Sequence, residues 1–297
     1  MPDTDITQAI AALPCWHGAL DIRALGGGLT NRNFRVSDQS GEVYVVRIGR
    51  DLPEHGVWRF HERAAARAAH AAGVAPQVVH ATEGLMVSRY IAGRPLDPER
   101  LRDPAMLGRV ATLLRRCHQD IPAHLEGPAL IFWVFQIIRN YLRFLAARDP
   151  GADARALSAY AAQAARLEQD LGAVHIRFGH NDLLAANLID DGQRLWLIDW
   201  EYAGFNTPLF DLANLATNNL LSAELETTLL ESYFEGPVAP PVRRGFAALQ
   251  CASLLRETLW AEVSAVTSAI DFDYRGYRDD YQRRLAVRWQ NYAGQYG

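Results

Sequence analysis

The spacing of apolar and polar residues along the chain changes character once, close to Pro95. Ahead of it, short runs of strand length dominate, at 20–25, 33–36, 42–48, 76–80 and 85–90, with Gly, Pro, Asn, Asp or Ser between them. Side chains alternate across a strand, so in 42–48 Val43, Val45 and Arg47 share one face and Tyr44, Val46 and Ile48 the other. Arg47 thus ends an otherwise apolar face. The same half predicts two helices: 4–13, stopped by Pro14, and 55–72, an alanine-faced stretch stopped by Gly73. A turn is expected over 37–41.

Past Pro95 the pattern becomes mostly helical. Asp103 and Pro104 form an N-cap and first-turn pair opening a helix through His118. Further helices are predicted over 129–147, rich in large apolar residues and buried, and over 154–171, poor in them and peripheral. Three more close the chain over 223–234, 242–268 and 277–292. Between these groups, 178–211 reads as loop, strand, a turn at Asp190-Asp191-Gly192, and strand. The linker Ile91-Ala92-Gly93-Arg94-Pro95 is the best boundary, dividing the chain into 1–91 and 92–297.

The chemistry concentrates in 178–211. Asp182, Asn187 and Asp199 are short-armed polar residues at fixed intervals, framed by hydrophobic ones. Phosphoryl transfer from ATP requires such a set: a carboxylate to orient the attacking hydroxyl, and an Asn and an Asp to hold Mg²⁺. The spacing His-x-Asp-x4-Asn, with Asp199 after a strand-like run, matches the kinase catalytic-loop signature. In that scheme the third strand supplies a phosphate-binding cation, a position Arg47 occupies, and Glu62 would complete it by an ion pair. The bland alternatives are a strand-end arginine and a solvated helix surface. The bend Gly26-Gly27-Gly28-Leu29-Thr30-Asn31 between two strands suits backbone N–H groups laid over phosphates, with Gly27, Gly28, Thr30 and Asn31 as contacts. It departs from the Gly-x-Gly-x-x-Gly spacing of protein kinases, and a plain hairpin turn accounts for it equally well. The linker near residue 91 would be the hinge that hydrogen-bonds adenine, through Ser88, Tyr90 and Ile91.

Composition narrows the chemistry further. With 297 residues, 49% hydrophobic and 22% charged, the chain reads as an ordinary globular protein large enough for two lobes around a cleft. A net charge of −4 and a pI near 6.1 give no support for nucleic-acid binding. All 30 basic residues are arginine, which excludes lysine nucleophiles and Schiff bases. Cys15, Cys117 and Cys251 are far apart and lack zinc-site or disulfide-framework spacing, which suits a reducing compartment. The N-terminus is acidic where a signal peptide is basic, and the apolar stretch 131–138 is too short to span a bilayer. A cytoplasmic enzyme with no membrane insertion is the expectation.

On these residues the chain resembles the choline/ethanolamine kinases, a branch of the aminoglycoside-phosphotransferase-like kinases. The resemblance runs from Gly26 to about Tyr281. It is carried by Gly27-Gly28-Leu29-Thr30-Asn31-Arg32-Asn33, His180-Asn181-Asp182-Leu183-Leu184-Ala185-Ala186-Asn187, Ile198-Asp199-Trp200-Glu201-Tyr202-Ala203-Gly204-Phe205-Asn206 and Phe210-Asp211-Leu212-Ala213-Asn214. It implies an α+β, protein-kinase-like two-lobe fold: a small antiparallel β-sheet lobe with one main helix over a larger helical lobe, with ATP and Mg²⁺ between them. It also implies that Asp182 is the catalytic base, with a pKa that need not be raised far, and that Asn187 and Asp199 are metal ligands. His180 and Asp211 would be structural. The acceptor would be a small amino alcohol, choline or ethanolamine, with an aminoglycoside or thiamine as alternatives and a non-catalytic pseudokinase as the contrary reading. Glu201, Tyr202, Glu257, Trp260 and Tyr274 would join Asp182 around it, an ammonium being held by aromatic faces and carboxylates. Glu257 stands where eukaryotic choline kinases carry a second Trp, and a carboxylate there would favour a less methylated cation. The oligomeric state stays open, a homodimer included.

Overall fold

The computed structural model describes residues 3–26, 31–149 and 151–297. Helix α1 (Asp3–Ala11) lies on a five-stranded antiparallel sheet built from β1 (Leu20–Leu25), β2 (Arg32–Asp38), β3 (Val43–Ile48), β4 (Val78–Thr82) and β5 (Leu85–Arg89). The strand order is β1-β2-β3-β5-β4. Strand alternation sends Phe34, Val36, Tyr44, Val46 and Val87 to one face, where Ile6 and Ile10 of α1 complete a small core. Strand β2 runs through Ser37 and Asp38, further than the expected turn allowed. The Asp38 carboxylate makes this possible by accepting the Ser40 amide at 3.0 Å, which satisfies the turn from within.

The helix expected over 55–72 is two pieces. A short 3-10 turn, Pro53–His55, ends at Gly56 in left-handed backbone, and α2 (Arg59–Ala71) starts anew. His55 causes the break. It is buried, with ring nitrogens 3.1 Å from the Tyr141 hydroxyl and 3.2 Å from that of Ser264, which pulls the turn toward the helical body. Asp51 then accepts the Arg59 amide at 2.7 Å where α2 opens. The alanine face of α2 (Ala65, Ala66, Ala68, Ala69) belongs to the larger core of the helical half, since small side chains permit close approach.

In that half, β6 (Arg94–Pro95) pairs with a later strand, and α3 (Pro104–Asp120) is capped by Asp103 as its sequence demands. Helix α4 (Val134–Arg148) begins later than residue 129. Its predicted first turn is instead extended, because the Leu130 carbonyl and Phe132 amide both bond to the Phe205 backbone at 2.9 Å. Helix α5 (Ala154–Leu171) matches its expectation and buries little beyond Ala164 and Leu167. The central stretch holds β7 (Arg177–Gly179), β8 (Leu188–Asp190), β9 (Leu195–Leu197) and β10 (Gly204–Asn206), with β6-β8-β9 and β7-β10 forming small sheets. Helix α6 (Pro208–Asn218) was not expected from the sequence. The closing helices are α7 (Ala223–Phe234), α8 (Pro240–Thr267) and α9 (Tyr274–Tyr296). Helix α8 is buried on all sides over most of its length, and α4, α5, α6 and α9 pack around it.

Candidate active site

The loop after β7 is held from behind by α6. Asp211, 1% exposed, accepts the His180 amide at 2.8 Å, the Asn181 amide at 2.7 Å and His118 Nε2 at 2.9 Å. Burial alone would raise the Asp211 carboxyl, but His118 and these donors hold it below the ordinary carboxylate range. Gly179 lets the Asp211 carboxylate come close, since a Cβ there would stand 3.1 Å from it. Asn214 and Asn219 continue the pattern, accepting the Leu183 and Ala185 amides at 2.6 and 2.9 Å. His180, also buried, directs Nε2 at the Ile198 carbonyl 2.8 Å away, and burial pulls its pKa down. His180 and Asp211 thus brace the backbone on either side of the loop.

This scaffold presents the three chemical residues. Asn187 Nδ2 donates to the Asp182 carbonyl at 3.0 Å, so its Oδ1 is the atom it can offer to a cation. The Ile198 amide bonds the Asn187 carbonyl at 3.0 Å, which ties Asp199 to the same loop. Asp199 sits in left-handed backbone, with φ 71°. Burial raises the Asp182 carboxyl above the ordinary range; Arg256 works against this, while Glu257, Asp199 and Glu201 add to it.

Opposite lies a buried ion network. Arg47 is 2.5 Å from Glu62 and 2.6 Å from Asp199, so the expected strand-to-helix pair forms. Arg59 is 2.7 Å from Glu62 and 3.1 Å from Glu201. Burial would loosen the Arg47 proton, but Asp199 and Glu62 outweigh it and its pKa rises. Burial would likewise raise Asp199, and Arg47 holds it down. Glu201 ends above the ordinary range, through burial and then Asp199. Among the described residues, these ion pairs join two guanidiniums to three carboxylates. Asn187 and Asp199 offer oxygen donors of the kind a hard divalent cation takes. Among the described residues no group of three or more His, Cys, Asp or Glu is arranged to hold a metal ion.

The acceptor side departs from expectation in two places. Glu201, expected beside the acceptor, belongs to the network just described and accepts from Asn31 Nδ2 at 2.9 Å. Asn31 is buried on that amide contact instead of lying open to a phosphate. Glu257 was expected to present a carboxylate to a cation. Its own chain closes it instead: Oε1 is paired with Arg256 and Oε2 accepts the Tyr277 hydroxyl at 3.0 Å. Tyr202, Trp260 and Tyr274 do come together. Trp260 Nε1 donates to the Tyr202 hydroxyl at 3.0 Å, and its ring centroid is 6.0 Å from that of Tyr274 and 5.6 Å from that of Tyr277.

At the expected hinge, Ser88 lies inside β5, paired with Val45 and Val78. The Tyr90 amide donates to Val43 at 3.0 Å, and the Ile91 carbonyl accepts from Gly93 at 2.9 Å, so these groups serve the chain itself. Gly27, Gly28 and Thr30 fall outside the described residues. Sequence reasoning missed Arg59 and Arg256. Each had a signal, Arg59 standing three residues before Glu62 on one helix and Arg256 directly preceding Glu257.

An antiparallel sheet lobe on a helical body, with an arginine of β3 facing a carboxylate-bearing loop, is a protein-kinase-like arrangement. Within that class, the chain belongs to the choline/ethanolamine kinase family, whose profile matches residues 22–225. It is 32% identical over 214 residues to Protein LicA of Haemophilus influenzae, an alignment covering 70% of this chain and 61% of that protein. A probable ethanolamine kinase of Arabidopsis thaliana is 28% identical over 289 residues, covering 86% of this chain and 76% of that one. The crystal structure of a choline/ethanolamine kinase family protein from Mesorhizobium loti superposes with a TM-score of 0.78 at 30% identity, covering 96% of this chain and 94% of the other. No helix among the described residues is long and apolar enough to cross a membrane.

Proposed function

We propose that this protein transfers the γ-phosphoryl group of Mg·ATP to the hydroxyl of a small cationic alcohol, choline or ethanolamine, in the cytoplasm. The observation that carries the reading is Asp182, Asn187 and Asp199 held on one α6-braced loop system, opposite Arg47 clamped by Glu62. Asp182 orients the acceptor hydroxyl and receives its proton. Asn187 and Asp199 hold the metal, which when bound neutralises charge on the phosphates. Arg47 faces those phosphates from the sheet lobe, 1–91, and Gly27, Gly28 and Thr30, which lie outside the described residues, are the backbone contacts assigned to them. The hinge around Ser88, Tyr90 and Ile91 lines the adenine. Tyr202, Trp260 and Tyr274 form the aromatic side of the acceptor pocket in 92–297. A relative named probable ethanolamine kinase supports the substrate class, as does the buried cluster of Tyr202, Trp260 and Tyr274, whose ring faces suit an ammonium group.

The test is an ADP-release assay against choline, ethanolamine, thiamine and an aminoglycoside. Turnover with choline or ethanolamine is expected; stimulation by thiamine or the aminoglycoside alone would transfer the role to that acceptor. Asp182→Ala should abolish turnover and leave ATP binding intact, and unchanged transfer by that variant would remove Asp182 from the mechanism.

A further inference from the structure

The loop that carries Asp182 supplies nothing to aim its carboxylate. The four residues between Asp182 and Asn187 are Leu183, Leu184, Ala185 and Ala186, and none has a polar side chain. Among the described residues, the cation that reaches the carboxylate comes from α8: Arg256 Nη1 lies 3.6 Å from Asp182 Oδ1. Arg256 is 1% exposed, and a guanidinium at that depth is costly unless paired. Its pairing is built around the base. Nη1 also bonds Glu257, whose second oxygen accepts the Tyr277 hydroxyl at 3.0 Å. The guanidinium carbon stands 4.3 Å from the Tyr202 ring centroid and 5.8 Å from that of Phe132. Nε and Nη2 find no hydrogen-bond partner among the described residues, so the side chain is held by Glu257 and by stacking.

We propose that Arg256 is the positioning residue for the catalytic base, and that Glu257 acts through Arg256, not on the acceptor's cationic group. This deepens the function proposed above and rests on Asp182 being the base. The neutral Arg256–Glu257 pair fixes where the Asp182 carboxylate points. It also leaves the acceptor ammonium to the aromatic faces, because the carboxylate beside them is already neutralised. A displacement of about 1 Å in a reacting group costs on the order of 10²-fold in rate, which sets the size of the effect.

The test compares Arg256→Met, Arg256→Lys, Glu257→Gln and the double variant R256M/E257Q in the full chain. The readouts are kcat, KM for ATP, KM for the acceptor, and thermal melting as a check on folding. Arg256→Met should lower kcat by about 10²-fold with little change in KM for ATP, and Arg256→Lys should recover part of the loss. Glu257→Gln should lower kcat less, and add nothing in the Arg256→Met background. Removing one partner of a buried pair can prevent folding, whereas the double variant removes both charges and carries the test in that case. Full kcat in the double variant overturns the proposal. So does Glu257→Gln raising the acceptor KM at unchanged kcat, which would place Glu257 on the substrate. If Asp182→Ala retains turnover, the proposed function falls and this inference with it. Active Arg256 variants beside an inactive Asp182→Ala remove this inference alone.

Discussion

Replacing Asp211 with Asn perturbs the catalytic loop without touching any residue placed at the reaction. Asp211 Oδ2 accepts from His180 N and His118 Nε2, and Oδ1 from Asn181 N. An amide keeps one acceptor oxygen and turns its NH₂ toward at least one buried donor. Hydrogen bonds to a charged group contribute about 1.5–3 kcal/mol, and a buried donor left unpaired costs about 1–3 kcal/mol. The variant should therefore lose about 3 kcal/mol, which for a protein of this size corresponds to a fall in Tm of about 5 °C. The loss should depend on pH with a definite sign. The folded-state carboxyl is held below its unfolded value, so its contribution is complete above about pH 4 and disappears as pH falls through the folded pKa. Urea unfolding of both proteins between pH 7 and pH 3 measures this: the gap should be constant down to about pH 4 and narrow below it. Turnover should drop as well, since the Asp211 contacts set the backbone next to Asp182. A variant with wild-type midpoint at pH 7 and wild-type kcat would refute the claim that α6 positions the loop through this carboxylate.

Three further outcomes are expected. Glu62→Gln removes the charge that holds both Arg47 and Arg59, and should lower kcat/KM for ATP by about 10- to 100-fold while the acceptor KM stays near wild type; equal loss for both substrates would speak against a role on the nucleotide side. Trp260→Ala should raise the KM for an ammonium acceptor by about tenfold, with much less effect on that for ATP, as read by steady-state kinetics. Chelation by EDTA should abolish turnover and Mg²⁺ restore it, whereas Asp199→Asn should remain inactive at Mg²⁺ concentrations that saturate the wild type; full rescue of that variant would detach Asp199 from the metal.

The chain's own spacing determined the local half of this site. A strand end, a tight loop and a second strand bring Asn187 onto the Asp182 carbonyl and Ile198, next to Asp199, onto the Asn187 carbonyl. The alternation of 42–48 likewise decided which face of β3 carries Arg47, and the cap at Asp103 decided where α3 opens. Only the tertiary structure decided the partners. Glu201 meets Arg59 across 142 positions of sequence, and Arg256 of α8 meets Asp182 of a distant loop, because burial forces each ion to find an opposite charge wherever packing brings one. The same competition moved the start of α4, where Phe205 captured the Leu130 and Phe132 backbone groups before a helix could. It also broke 55–72, where His55 is bonded to Tyr141 and Ser264 of the helical half. Composition and period state which groups need burial or pairing; which of several equivalent partners satisfies them depends on the three-dimensional neighbours, and no local pattern encodes that.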